Sequence, residues 1–158
     1  MRTIVKRRRE KKTDYKARRI LLKSGKNRIV IRRTNRYFEV QLVESHEAQD
    51  KVLVGVNSKQ LLENGWDKKL VGSLKSTPAA YLTGLLLAKK ISDKKDEVIL
   101  DIGMARHISG SRIYAVAKGL VDGGVSLKIN ESVFPSEEKL VGKKELKAMI
   151  SKVKEKLK

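Results

Sequence analysis

The chain has 158 residues, 40% of them hydrophobic, enough to bury one core and too apolar for a disordered tail. It has no cysteine, which excludes disulfides, zinc knuckles and thiol catalysis, and its two imidazoles, His46 and His107, sit in no metal-binding motif. Its net charge of +19 is concentrated: residues 1–36 hold 16 of the 37 Lys and Arg against two acids, Glu10 and Asp14.

A solubility adaptation would spread charge over the whole surface, whereas a basic arm is a device for binding a polyanion. Each phosphate it neutralises releases condensed counterions, so binding is driven electrostatically and is sensitive to salt. Anionic membrane is the rival polyanion, but the arm has too few bulky apolar residues between its charges for an interfacial helix. No stretch approaches the length of a transmembrane helix, and the basic N-terminus lacks the apolar core of a secretory signal, so the expected compartment is the cytosol.

Residues 1–12, MRTIVKRRREKK, have no apolar period and are expected to stay disordered until RNA supplies phosphates; the plainer alternative is a solubilising tail. The arm's cations are Arg2, Lys6, Arg7, Arg8, Arg9, Lys11 and Lys12. Thr13 or Asp14 can cap a helix running to Gly25, with Arg18, Arg19 and Lys23 on its polar surface. Arg28–Arg33 alternates as a strand, with Ile29 and Ile31 on one face and Arg28, Val30 and Arg32 on the other. Tyr37–Val43 is its hairpin partner, with Phe38, Val40 and Leu42 facing inward. Thr34-Asn35 makes the turn, because Asn tolerates positive φ. Polar Glu44–Asp50 is a connection, and the apolar run in Lys51–Val56 suits a third strand covered on both faces.

A short helix is expected around Ser58–Glu63, ending at Asn64-Gly65 before Trp66. Next comes a helix capped by Thr77, with Pro78 at its first position and a buried stripe of Ala79, Leu82, Leu85, Leu86 and Ile91. Glu97–Ile102 is a strand, 103–110 a loop, and Ser111 caps a helix to about Asp122 that Gly123-Gly124 stops. Val125–Ile129 is a last short strand. Lys143–Leu157 is an amphipathic helix with Leu146, Met149, Ile150, Val153 and Leu157 at helical spacing; its lysines read more readily as a solvated face than as a binding site. Three strands followed by β–α alternation give an α/β class with a mixed sheet and helices packed on it. The expected division is a basic arm at 1–12, one domain at 13–142 and a tail helix at 143–158.

The basic hairpin RIVIRRTNRYF is the strongest local feature. Guanidinium groups fork onto phosphate or stack on bases, and Tyr37 can stack. Charge guarding an edge strand is the alternative, but four arginines without an acid exceed what guarding needs. Trp66 is a core anchor or a stacking platform. Ser109, Ser111 and Arg112 at a helix start could hold an anion through backbone N–H groups. Asp101 stands at a strand end, where a nuclease would carry a catalytic carboxylate, but Glu39 is the only other strand acid nearby in the pattern. Two-metal nuclease chemistry needs several converging acids, so a capping or solvent-facing Asp is the simpler reading. There is no P-loop, no HExxH and no GxSxG, and no cofactor is expected.

Five stretches carry a further resemblance: TDYKARRILLKSGKNRIVIRRTNRYFEVQLVE at 13–44, NGW at 64–66, TPAAYLTGLLLAKK at 77–90, VILDIGMARHISGSRIYAVAKGLVDGG at 98–124 and FPSEEKLVG at 134–142. In order and spacing they resemble the universal large-subunit ribosomal protein family that binds 5S ribosomal RNA, number eighteen in the bacterial series, in its archaeal form. The resemblance implies a mixed sheet of ribonuclease-H-like topology without enzyme activity. It implies a place in the central protuberance of a cytoplasmic ribosome. The implied partners are 5S rRNA, the large rRNA and neighbouring proteins, including the other universal 5S-binding protein. It also implies RNA contacts at Lys6, Arg7, Arg8, Arg9, Lys11, Lys12, Tyr15, Arg18, Arg19, Arg28, Arg32, Arg33, Asn35, Arg36 and Tyr37. Archaeal members of the family usually carry a longer helical extension than the single Lys-rich helix that follows Gly142 here. Two other classes compete: a ribonuclease-H-like nuclease and a non-specific nucleic-acid packaging protein.

Overall fold

The alternation at 28–42 sets the architecture of the computed structural model, which describes residues 6–10, 12–47, 49–91, 97–142 and 147–157. Two short helices come first, α1 (Lys6–Arg9) and α2 (Tyr15–Lys23). The Asp14 carboxylate caps α2 by accepting from the backbone N–H of Lys16 and Ala17. Strand β1 (Arg28–Arg33) then pairs antiparallel with β2 (Phe38–His46), and β2 with β3 (Gln49–Asn57). Helix α3 (Thr77–Lys90) leads to β4 (Ile99–Asp101), which lies parallel to β1, and α4 (Arg112–Asp122) follows. Helices α5 (Glu137–Val141) and α6 (Lys147–Leu157) end the described chain. The sheet order is β3-β2-β1-β4, so the fold is α/β with a mixed sheet, as expected.

Register puts Ile29 opposite Leu42 and Ile31 opposite Val40, so the apolar faces of β1 and β2 coincide and meet the helices. The turn between them differs from expectation in its chemistry. Among the described residues only Glu47, and not Asn35, combines a side chain with positive φ. The Thr34 hydroxyl closes the turn instead, donating to the Tyr37 carbonyl (2.9 Å) and accepting from the Tyr37 N–H (3.0 Å).

The segment expected as a polar connection at Glu44–Asp50 is mostly ladder: Ser45 pairs with Asp50 and His46 with Gln49. Its polarity reflects exposure and ion pairing, not a loop. Strand β3, expected to be covered on both faces, is an edge strand; Val52 is 51% exposed. The expected strand at Val125–Ile129 reduces to one parallel bridge, Leu127 to Val98. The helix expected near Ser58 is a 3-10 helix, Ser58–Leu62. Two further 3-10 helices, Lys68–Ser73 and Glu131–Val133, and α5 are too short to leave a period in the sequence.

Helix α3 is capped one residue earlier than expected, by Ser76. The Ser76 hydroxyl accepts from the Ala79 N–H, which places Pro78 at the second helical position, where a missing N–H is equally tolerated. Rather than one stripe, α3 buries every residue from Pro78 to Ala88, because the sheet, α4, α5 and α6 surround it. Helix α6 docks on α3 through Ile150, Val153 and Leu157; Leu146 and the rest of 143–146 lie outside the described residues. Its Lys154 ammonium stands 5.3 Å from the centre of the Tyr81 ring. The Tyr81 hydroxyl donates to Asp122 (2.7 Å), and burial first, then this bond, pushes the phenol well above its ordinary pKa.

Helices α3 and α4 approach until their backbones touch. A Cβ at Gly119 would lie 2.2 Å from the Tyr81 carbonyl oxygen, and one at Gly84 would lie 2.2 Å from that of Val116. Neither obstacle is a side chain that can swing away. Gly119→Ala is therefore expected to force the helices apart and cost about 2 kcal/mol, a fall of roughly 5 °C in a thermal melt. An unchanged melting temperature would show that the pair is free to separate.

Candidate nucleic-acid interface

Alternation on β1 sends Arg28 and Arg32 to the sheet face opposite Ile29 and Ile31, and the parallel register brings Asp101 to that same face beside Val30. Arg28 is the exception among the basic residues expected at the surface, being only 1% exposed. Its Nη1 donates to Asp101 Oδ2 (2.9 Å), and its Nη2 donates to Ser45 Oγ (2.7 Å) and to Asp50 Oδ1 (2.6 Å). With both terminal nitrogens occupied and the group out of solvent, Arg28 offers nothing to RNA. The expected contact there is corrected to a structural ion pair.

The carboxylates hand the charge onward. Asp50 Oδ2 accepts from Arg18 Nη2 on α2 (2.8 Å), and Asp101 Oδ1 accepts from Arg32 Nη2 (3.0 Å). The result is an alternating ladder, Arg18–Asp50–Arg28–Asp101–Arg32, running from the arm's helix through the sheet to the basic hairpin. Asp101, expected to cap or to face solvent, is buried and is the hinge of this ladder. Burial alone would raise the pKa of Asp50. Hydrogen bonds from Ser45 and Arg18, with the charges of Arg28 and Arg18, outweigh it and hold the carboxyl below its ordinary value.

Around the ladder lie the accessible cations. Lys6, Arg7 and Arg9 of α1 and Lys12 are exposed; Arg7 Nε donates to Thr13, and Lys12 pairs with Glu10. Arg2, Lys11 and the side chain of Arg8 lie outside what the structure describes. No residue of α2 is buried: Ile20 is 63% exposed, and Tyr15, Arg18, Arg19, Leu22 and Lys23 line a shallow groove. Arg33, Asn35 and Arg36 project from the hairpin turn, while Tyr37 is half-buried against the core.

Of the remaining candidates, Trp66 is buried, with its indole N–H donating to the Leu70 carbonyl (3.2 Å), so it is a core anchor and not a stacking platform. Ser109 donates to the Ser132 carbonyl, and the Ser111 hydroxyl is enclosed without a partner among the described residues and does not cap α4. Arg112 Nη1 donates to the Lys75 carbonyl (2.9 Å), and Lys75 Nζ reaches the Asn35 carbonyl (3.3 Å). Lys75 thus joins the hairpin's cations only through the fold; nothing in its local sequence marks it.

The first 97 residues match a protein family described as ribosomal large subunit proteins 60S L5 and 50S L18. The chain is 46% identical over 138 residues to the large ribosomal subunit protein uL18 of Methanoregula boonei, covering 87% of this chain and 77% of that one. It is 47% identical, with the same coverage, to the uL18 of Methanoculleus marisnigri. It is 42% identical over 139 residues to that of Caldivirga maquilingensis, 65% of whose length is matched.

Two outcomes follow from the ladder. Asp101→Ala leaves a buried guanidinium short of a partner and is expected to cost about 3 kcal/mol in urea unfolding, whereas Arg33→Ala, at the surface, stays within about 0.5 kcal/mol. Because the folded pKa of Asp50 is depressed, its stabilisation is complete above the ordinary value of 3.8 and is lost as pH falls through the lower folded value. Asp50→Asn should therefore melt lower at neutral pH and lose less as the pH falls from about 3.8 through that lower folded value. A parallel acid limb in both proteins would contradict this.

Proposed function

The chain belongs to the uL18 family of large-subunit ribosomal proteins, structural constituents of the ribosome rather than enzymes, and from that premise we propose that it binds 5S rRNA and anchors it to the large rRNA in the central protuberance. The observation that carries this reading is the exposed cationic surface of α1, α2 and the β1–β2 hairpin, with an ion ladder that fixes α2 to the hairpin. In this reading Lys6, Arg7, Arg9, Lys12 and Arg19 neutralise phosphates, with Arg2, Arg8 and Lys11 continuing the arm. Arg32, Arg33, Asn35 and Arg36 meet an irregular RNA shape with Tyr37 beside them, and Tyr15 contacts RNA from α2. Arg18 adds its free edge, and Arg112 and Lys75 extend the surface past the turn. The arm at 1–12 settles onto RNA while the unit at 13–142 holds its register. The neighbouring proteins in this reading include the other universal 5S-binding protein.

The test is competition of 5S rRNA against transfer RNA and duplex DNA across a salt series. Preference for 5S rRNA at physiological salt is expected, with a salt slope corresponding to ~6 phosphate contacts. Arg33→Ala with Arg36→Ala should weaken binding about tenfold and lower the slope by about 2. Equal binding of all three competitors would instead describe a packaging protein.

A further inference from the structure

The three exposed hairpin arginines are held differently. Arg33 and Arg36 are exposed, and neither side chain makes a hydrogen bond or ion pair among the described residues. Arg32 is 45% exposed yet fixed: Nη1 donates to the Ile31 carbonyl (2.9 Å) and the Asp101 carbonyl (3.0 Å), and Nη2 donates to Asp101 Oδ1 (3.0 Å). A guanidinium has five N–H groups. Those left over are Nε–H and the second Nη2–H, which lie side by side on one edge.

Gly103 supplies the floor. A Cβ built there would stand 2.9 Å from the central carbon of the Arg32 guanidinium and 3.0 and 3.1 Å from its terminal nitrogens. Near-equal distances to all three atoms mean that the planar group lies flat over the glycine. Gly103 is itself pinned: its N–H donates to the same Asp101 Oδ1 (2.8 Å), and its φ is +61°. One carboxylate oxygen therefore sets both the floor and the edge of the slot.

We propose that Asp101 and Gly103 are positioning residues that turn Arg32 into a rigid fork whose free edge takes two oxygens of one RNA backbone phosphate. This rests on the RNA-binding reading above. A fork-to-phosphate contact is bidentate, and lysine cannot reproduce it. An arginine already immobilised by the fold loses little further freedom on binding. Arg33 and Arg36, without such a slot, act as adaptable charges.

The full chain carrying Arg32→Lys, Gly103→Ala, Arg32→Ala or the Gly103→Ala/Arg32→Ala pair is titrated with 5S rRNA, and each variant is melted in parallel. The crowded neighbour of the new methyl is the far end of Arg32, so Gly103→Ala displaces the guanidinium while leaving its charge. Arg32→Lys and Gly103→Ala are each expected to weaken binding about five- to tenfold. Arg32→Ala should reduce the salt slope by about 1, and Gly103→Ala should add nothing once Arg32 is gone. Wild-type affinity in Arg32→Lys, or an equal loss from Gly103→Ala with and without Arg32, overturns the proposal. If Gly103→Ala fails to fold, the half-exposed Arg32→Lys decides alone. Loss of the 5S preference in the unmodified chain would remove the 5S reading separately, because the fork is judged by the variants on whichever RNA binds.

Discussion

Burying Arg28 is the constraint on which the rest of this surface depends. A guanidinium out of water is tolerated only if acceptors surround it, and here they come from two places far apart in sequence, Asp50 on the β2–β3 hairpin and Asp101 at the end of β4. Those carboxylates must approach closely, so the hairpin tip and the parallel strand are drawn to the same site. Each then has a second oxygen to offer, and each uses it on another arginine. The charge that costs most to bury thereby orients the charges that remain outside.

The opposite face of the sheet answers to packing instead of charge. Ile29, Ile31, Phe38, Val40 and Leu42 face α3 and α4, α3 is enclosed from Pro78 to Ala88, and glycine contacts bring α4 against it. The sheet therefore separates two regimes. One side is a dry, close-packed core that gives rigidity; the other is a set of ion pairs that inherits that rigidity and presents it to solvent. A basic hairpin on a poorly supported sheet would hold the same charges in no fixed arrangement.

Much of this was legible in the sequence where the pattern is periodic. Strand β1 matches its expected bounds, β2 shows its expected inward face, and α2, α3, α4 and α6 lie where helical spacing or caps put them. The failures have physical causes. Polarity at 44–50 looked like a loop because a ladder of exposed, ion-paired residues has no apolar alternation. The apolar run of β3 looked doubly covered because composition cannot tell a central strand from an edge. Arg28 looked like its neighbours Arg32 and Arg33, since only the return of Asp50 and Asp101 from elsewhere in the chain distinguishes it. Lys75 and Gly103 were invisible for the same reason: their roles lie in what tertiary structure places beside them.

The edge strand has a colloidal consequence. The outer backbone of β3 has no strand beside it among the described residues, and its sequence from Val52 to Val56 carries no charge and no proline. Such an edge is a template for pairing with a second copy. What opposes that pairing in dilute buffer is mutual repulsion between chains of net charge +19. Added salt screens the repulsion without covering the edge, and a polyanion cancels it. The charge that draws in an RNA partner is thus also the free protein's defence against self-association, and chain made in excess of its partner is most exposed to aggregation when that charge is masked.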